Sequence, residues 1–206
     1  MAEILVLAAH PQMEHSRVTR TLMRAAAQAA PARTEVRDLY ALYPDYFLDA
    51  EAERAALAGA QLVVWLHPVQ WYSMPPLMKL WLDEVFAFGW AYGPGGRALA
   101  GKALWLVTST GGPESSYRPD GYNRYFLDAF LHPYEQTAAL TRMRWLPPLA
   151  LHGAHRADDE TVAAHARLFA DRLAAWPDWP ELAEPDETPA SEVPADARPP
   201  AEDTAP

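Results

Sequence analysis

Two hydroxyls, a guanidinium and an imidazole gather near the start of this chain. His10 follows the apolar run Ile4 to Ala9, and Ser16-Arg17-Val18-Thr19 opens an apolar helix. A strand that runs into a helix N-terminus presents unpaired backbone N–H groups and the positive end of the helix dipole, which together seat an anion. Ser16 also reads as a plain helix cap. Farther along, the loop Val69-Gln70-Trp71-Tyr72 carries two aromatic rings, suited to wall a flat ligand or to act as hydrophobic cover. The segment Ser109-Thr110-Gly111-Gly112 has two positions without a side chain, which allows close approach of a ligand to the backbone or makes an ordinary turn.

Other constellations carry less. Gly93-Pro-Gly-Gly96 lacks the lysine and hydroxyl of a phosphate loop. His152-x-x-His155 has no third ligand nearby, so no metal site is expected. No Gly-x-Ser-x-Gly elbow is present. The chain has no cysteine, which excludes disulfides, thiolate nucleophiles and cysteine-ligated metals.

The elements that must position these residues follow from periodicity. Strands are expected near 3–9, 34–39, 61–66, 102–108 and 144–151. Helices are expected near 16–30, 50–58, 75–87, 121–131, 133–141 and 159–176. The last strand contains Pro147 and Pro148 and should lie at a sheet edge. Alternation of strands and helices predicts an α/β fold, a parallel sheet with helices on both faces, and five strands suit the doubly wound order 2-1-3-4-5. Flavodoxin is the type case of that order, with flavin mononucleotide (FMN) at the switch point between strands 1 and 3. In this order the loops after strands 1, 3 and 4 meet at one rim. They supply what FMN needs: a seat for a phosphate at His10 and Ser16 to Thr19, a flat slot beside Trp71, and N–H donors at Gly111 and Gly112 for negative charge on the reduced ring.

The 206 residues are half hydrophobic and suit one domain, residues 1–180, followed by an acidic, proline-rich tail at 181–206 that is expected to be disordered. Residues 177–206 carry −8 of the net −10, so the body is nearly neutral and has no electrostatic footprint for nucleic acid. No basic segment followed by an apolar stretch opens at Met1, and no run reaches the roughly 18 apolar residues of a membrane span. A cytoplasmic protein without direct membrane insertion is expected.

The chain resembles the flavodoxin-like NAD(P)H quinone reductases, and more closely the ancillary proteins of the glutathione-regulated potassium-efflux system, the KefF and KefG type. The resemblance covers residues 3–176. It rests on Ala9-His-Pro11, Asp38-Leu-Tyr-Ala-Leu-Tyr-Pro-Asp45, His67-Pro-Val-Gln-Trp-Tyr-Ser-Met-Pro-Pro-Leu-Met-Lys-Leu-Trp-Leu-Asp83, Gly89-Trp-Ala-Tyr-Gly-Pro-Gly-Gly96, Thr110-Gly-Gly-Pro-Glu-Ser115 and Trp145-Leu-Pro-Pro148. It implies FMN held by His10, by Ser16, Arg17, Val18 and Thr19, by Val69, Gln70, Trp71 and Tyr72, and by Ser109, Thr110, Gly111 and Gly112. It further implies two-electron, ping-pong quinone reduction with NADH or NADPH as co-substrate, and a phenol at the ring, carried here onto Tyr117. The implied partners are a second copy of the chain, with Trp90 and Tyr92 as interface candidates, and the cytoplasmic domain of a potassium/proton antiporter. Through that antiporter the protein would be peripheral on the cytoplasmic side of the membrane. The competing reading is a flavin-binding regulatory subunit of the transporter with little catalysis.

Overall fold

The computed structural model describes residues 2–183. Its elements in chain order are β1 (Ile4–Ala8), α1 (Val18–Ala29), β2 (Thr34–Asp38), α2 (Leu39–Leu42), α3 (Ala50–Gly59), β3 (Leu62–Pro68), α4 (Pro76–Val85), β4 (Ala103–Ser109), α5 (His132–Leu140), β5 (Arg144–Leu151), α6 (Asp159–Ala174) and α7 (Pro180–Ala183). The five strands form one sheet in the order β2-β1-β3-β4-β5, and every pairing is parallel. Strands β1 and β4 are buried throughout, and β3 is buried except at Pro68. This is why they read as unbroken apolar runs: both faces are covered by helices.

Alternate residues serve opposite layers. Ile4, Val6, Val64 and Trp105 pack against Val18, Leu22 and Ala26 of α1 and Phe169 and Leu173 of α6. Leu5, Leu7, Trp65 and Leu106 pack against Leu57 of α3, Leu77 and Trp81 of α4, and Tyr134 and Ala138 of α5. Asp158 caps α6 by accepting from Thr161 N–H at 2.8 Å.

Strand β5 is the edge that Pro147 and Pro148 predict, and its register against β4 slips between Trp105 and Val107. At the other edge, β2 is tied inward by a buried polar cluster. The Glu53 carboxylate, fully buried, accepts from Arg37 Nη2 at 2.6 Å, from Trp81 Nε1 at 2.8 Å and from the Tyr43 hydroxyl. Four segments (β2, the turn after α2, α3 and α4) thus converge on one carboxylate.

Three stretches differ from expectation. Residues 39–42 form α2, because Asp38 accepts from the N–H groups of Tyr40 and Ala41 at 3.2 and 3.3 Å and so nucleates a turn. Residues 121–126 are not helical, and only Leu127–Phe130 forms a 3₁₀ turn. Arg124 lies at φ 62°, and a Cβ on Gly121 would sit 2.4 Å from Ser115 O, so this segment folds back on the 115–116 backbone instead of rising into a helix. Finally, residues 181–183 belong to α7, where Glu181 pairs with Arg172 at 3.1 Å. The rest of the expected tail lies outside the described residues. Among the described residues, no helix is long and apolar enough to cross a membrane.

Candidate functional site

The carboxyl ends of β1, β3, β4 and β5 bring four loops to one rim. They enclose a cavity of about 450 Å³, within the range of about 300–1,000 Å³ common for ligand sites. Ten of the sequence-predicted residues line it: His10, Ser16, Arg17, Val18 and Thr19 from the first loop, Val69 and Gln70 from the second, and Ser109, Thr110 and Gly111 from the third. A second cavity of about 270 Å³ shares Val69 and is lined by Trp71, Tyr72, Gly112 and Tyr117. All fourteen predicted residues therefore face one of two adjoining spaces.

The first space begins at the start of α1. Ser16 Oγ accepts from Thr19 N–H at 3.1 Å, so the cap reading of Ser16 holds, yet its hydroxyl hydrogen stays available to an anion. Gln12 N–H donates to His10 Nδ1 at 3.1 Å, which places the proton of the neutral imidazole on Nε2. Burial also holds His10 below the ordinary histidine range, so the ring enters the site as a neutral donor. The Arg17 guanidinium is engaged elsewhere: it donates to Ala157 O and lies 3.6 Å from Asp159, clasping the start of α6. The cation expected at the anion seat is thus partly neutralised, and the backbone and hydroxyl donors carry more of that task.

The second loop is strained. Trp71 and Tyr72 lie at φ 49° and 62°, and Gln70 and Ser73 exchange backbone hydrogen bonds of 2.9 and 3.0 Å across them. Two consecutive positive-φ residues inside such a bracket suit Asn-Gly, and for bulky side chains they cost about 1–2 kcal/mol each. Tyr72 recovers part of this by stacking on Phe130 at 4.9 Å, whereas the Trp71 side chain is 94% exposed. Strain of this kind collects at functional sites. Trp71→Asn is expected to raise stability by about 1 kcal/mol, read as a higher urea midpoint at unchanged slope, while lowering affinity for any ligand in the smaller cavity.

The third loop is clamped by a fourth that the sequence offered only as an incomplete metal pair. Thr110 N–H donates to Leu151 O at 2.9 Å, Ala154 N–H to Thr110 O at 2.9 Å, and Gly153 N–H to Gly112 O at 2.9 Å. His155 lines the larger cavity, and a Cβ on Gly111 would meet its Nε2 at 3.0 Å, so the glycine makes room for the imidazole. The N–H groups of Gly111 and Gly112 have no protein acceptor among the described residues. The signal for this fourth loop was present: a strand's carboxyl end lies just before His152 on the same rim.

Tyr117 is 7% exposed, with its ring 5.5 Å from that of His152, and burial pushes its phenol up, so it is protonated at neutral pH. Asn123, also missed from the sequence, lines the smaller cavity and accepts from Tyr72 OH at 3.4 Å. Trp90 and Tyr92 are half-buried against the core of their own chain.

The arrangement fits FMN: an anion seat of neutral donors, two glycine N–H groups without a protein acceptor among the described residues, and an aromatic-walled space beside it.

Comparison with known proteins agrees. The flavodoxin-like fold family matches residues 2–173. The glutathione-regulated potassium-efflux system ancillary protein KefF of Citrobacter koseri is 45% identical over 173 residues, 84% of this chain and 96% of the relative. The crystal structure of general stress protein 14 from Treponema denticola in complex with FMN superposes with a TM-score of 0.78 at 36% identity, covering 84% of this chain and 98% of that one. A putative quinone reductase from Klebsiella pneumoniae superposes with a TM-score of 0.73 at 25% identity, covering 86% of each chain.

Proposed function

The chain belongs to the family of the flavodoxin-like fold, and from that premise we propose that it is an FMN-dependent NAD(P)H:quinone oxidoreductase that also serves as ancillary activator of a glutathione-regulated potassium/proton antiporter. The observation that carries the reading is the junction of the two cavities at Val69, which sets an anion-seating space against an aromatic one. Support comes from the FMN complex of the Treponema denticola relative and from the Citrobacter koseri ancillary protein. When bound, FMN supplies hydride exchange, first from NAD(P)H and then to a quinone in the same place.

In this reading His10 Nε2–H, the Ser16 and Thr19 hydroxyls and the N–H groups of Arg17 and Val18 hold the phosphate. Val69, Gln70, Trp71 and Tyr72 wall the ring. Ser109, Thr110, Gly111 and Gly112 border its polar edge, with the two glycine N–H groups turned to developing negative charge. The smaller cavity, lined by Trp71, Tyr72, Tyr117 and Tyr122, receives the flat partner ring, and Tyr117 donates its phenolic proton in a hydrogen bond to it. Tyr117→Phe should then lower quinone kcat/KM about a hundred-fold, the loss typical of one donor removed from a developing charge. Unchanged steady-state rates would remove Tyr117 from the mechanism.

Trp71, Tyr122, Tyr125 and Phe126 are 94%, 88%, 60% and 58% exposed, and an aromatic group of this kind suits an interface core. These residues, not Trp90 and Tyr92, are the better candidates for a homodimer contact. The antiporter's cytoplasmic domain would hold the protein peripherally on the cytoplasmic face of the membrane.

The test is the visible spectrum of the full chain after FMN loading and desalting, before and after anaerobic NADH or NADPH. Retained flavin bands that bleach support the oxidoreductase. Retained bands that do not bleach favour a regulatory flavoprotein, and no retained flavin removes the site assignment.

A further inference from the structure

Thr110 is fully buried, and its hydroxyl hydrogen is already committed. Oγ1 donates to Gly112 O at 2.8 Å, and the Tyr117 hydroxyl lies within hydrogen-bonding reach of the same side chain. The same oxygen lies 3.1 Å from His152 Nδ1. That contact is a hydrogen bond only if the imidazole donates, which assigns the proton to Nδ1. The chain of donors therefore runs from His152 through Thr110 to Gly112 O, in one direction.

Its effect is to complete a clamp. The main chain at 110–112 already shares three hydrogen bonds with residues 151–154, donating one and accepting two, and His152 adds a side-chain bond that ties the Thr110 side chain across the intervening Gly111. Of the 110–112 amides, those of Gly111 and Gly112 are the ones without a protein acceptor among the described residues. Around His152 stand Glu114, whose charge acts on it, and the Tyr117 ring. Burial pushes the His152 pKa down, in keeping with a neutral ring that carries one proton.

We propose that His152 is a positioning residue for FMN: through Thr110 it fixes the conformation in which the Gly111 and Gly112 N–H groups serve the cofactor. The proposal rests on the FMN reading above. Fixed N–H dipoles favour the anionic, reduced flavin more than the neutral, oxidised one, so loosening them weakens the reduced form selectively.

Two measurements test it in the full chain. The first is the tautomer of His152 by ¹⁵N NMR without flavin. The second is FMN affinity by fluorescence quenching, with the midpoint potential of bound FMN, for the wild type, His152→Leu, Thr110→Val and His152→Asn. The expected results are an Nδ1-protonated ring and a reduced-to-oxidised affinity ratio about tenfold lower in His152→Leu and Thr110→Val. For a two-electron couple that is about 30 mV more negative. His152→Asn, whose Nδ2 donates from the position of Nδ1, should stay at the wild-type potential. A proton on Nε2, or FMN bound at wild-type potential in His152→Leu, overturns the proposal. Failure of the wild type to bind FMN overturns the functional reading itself, and the proposal with it. The tautomer needs no variant, so a poorly folding substitution leaves the test intact.

Discussion

Arg37→Met is expected to destabilise the protein by about 3–5 kcal/mol, the usual cost of leaving a buried charge without its partner. For a chain of this size that corresponds to a fall of about 6–20 °C in Tm. Glu53 is fully buried, and Arg37 reaches it through Nη2 at 2.6 Å and Nε at 3.1 Å. Removal of the guanidinium leaves Trp81 Nε1–H and the Tyr43 hydroxyl as neutral donors to a carboxylate with no counter-ion. The double variant Arg37→Met, Glu53→Leu should recover much of the loss, since an apolar pair can replace a buried ion pair. Recovery stays incomplete because Tyr43 OH and Trp81 Nε1–H lose their acceptor. Differential scanning calorimetry of the three proteins decides the matter: a double variant no more stable than Arg37→Met would show that packing, not charge, holds β2.

Acid should loosen the fold through His67. Its ring is buried at the end of β3, stacked on Tyr134 at 5.7 Å. Its Nδ1–H faces Pro68 O at 3.0 Å, while Nε2 has no partner among the described residues. Burial pulls its pKa from 6.5 down to about 4. The unfolded chain therefore binds a proton that the folded chain refuses between pH 6.5 and 4, and stability falls as the pH falls through that window, with no further loss below it. At about 1.4 kcal/mol per unit the total is about 3 kcal/mol. His67→Phe should cost about 1 kcal/mol at pH 7 for the lost hydrogen bond. It should also flatten the decline, so that the gap between the proteins reverses by pH 4.5 in urea titrations. Parallel pH profiles for the two proteins would place the acid sensitivity elsewhere, for instance at His165, whose buried Nε2 also lacks a partner among the described residues.

Much of this architecture is legible from residue order. The runs Ile4 to Ala8, Leu62 to Leu66 and Ala103 to Ser109 are apolar enough to announce central strands, and Pro147-Pro148 announces an edge. The rim follows from the strand order, which is why His10, Gln70, Thr110 and their neighbours converge as expected. What escapes sequence has physical reasons. The 121–126 segment has residues compatible with a helix, but Gly121 is needed against the Ser115 carbonyl and Arg124 turns left-handed, both consequences of tertiary packing. Nothing in Trp71-Tyr72 signals a reversal, since aromatic residues have no preference for positive φ. The spacing of His152 and His155 speaks only of a metal pair, whereas their contacts are with Thr110 and Gly111, about forty residues away in the chain and adjacent only once β4 and β5 pair.

The two consecutive prolines of β5 have one more consequence. Pro147 and Pro148 carry no N–H, so two consecutive donors are missing from this strand. They fall where the β4–β5 register slips between Trp105 and Val107, so two residues of β5 stand opposite Leu106 alone. Proline and an irregular register on an edge strand both interrupt the row of groups that a foreign strand would need to extend the sheet. The same pair that marks β5 as an edge thus makes it a poor template for edge-to-edge pairing.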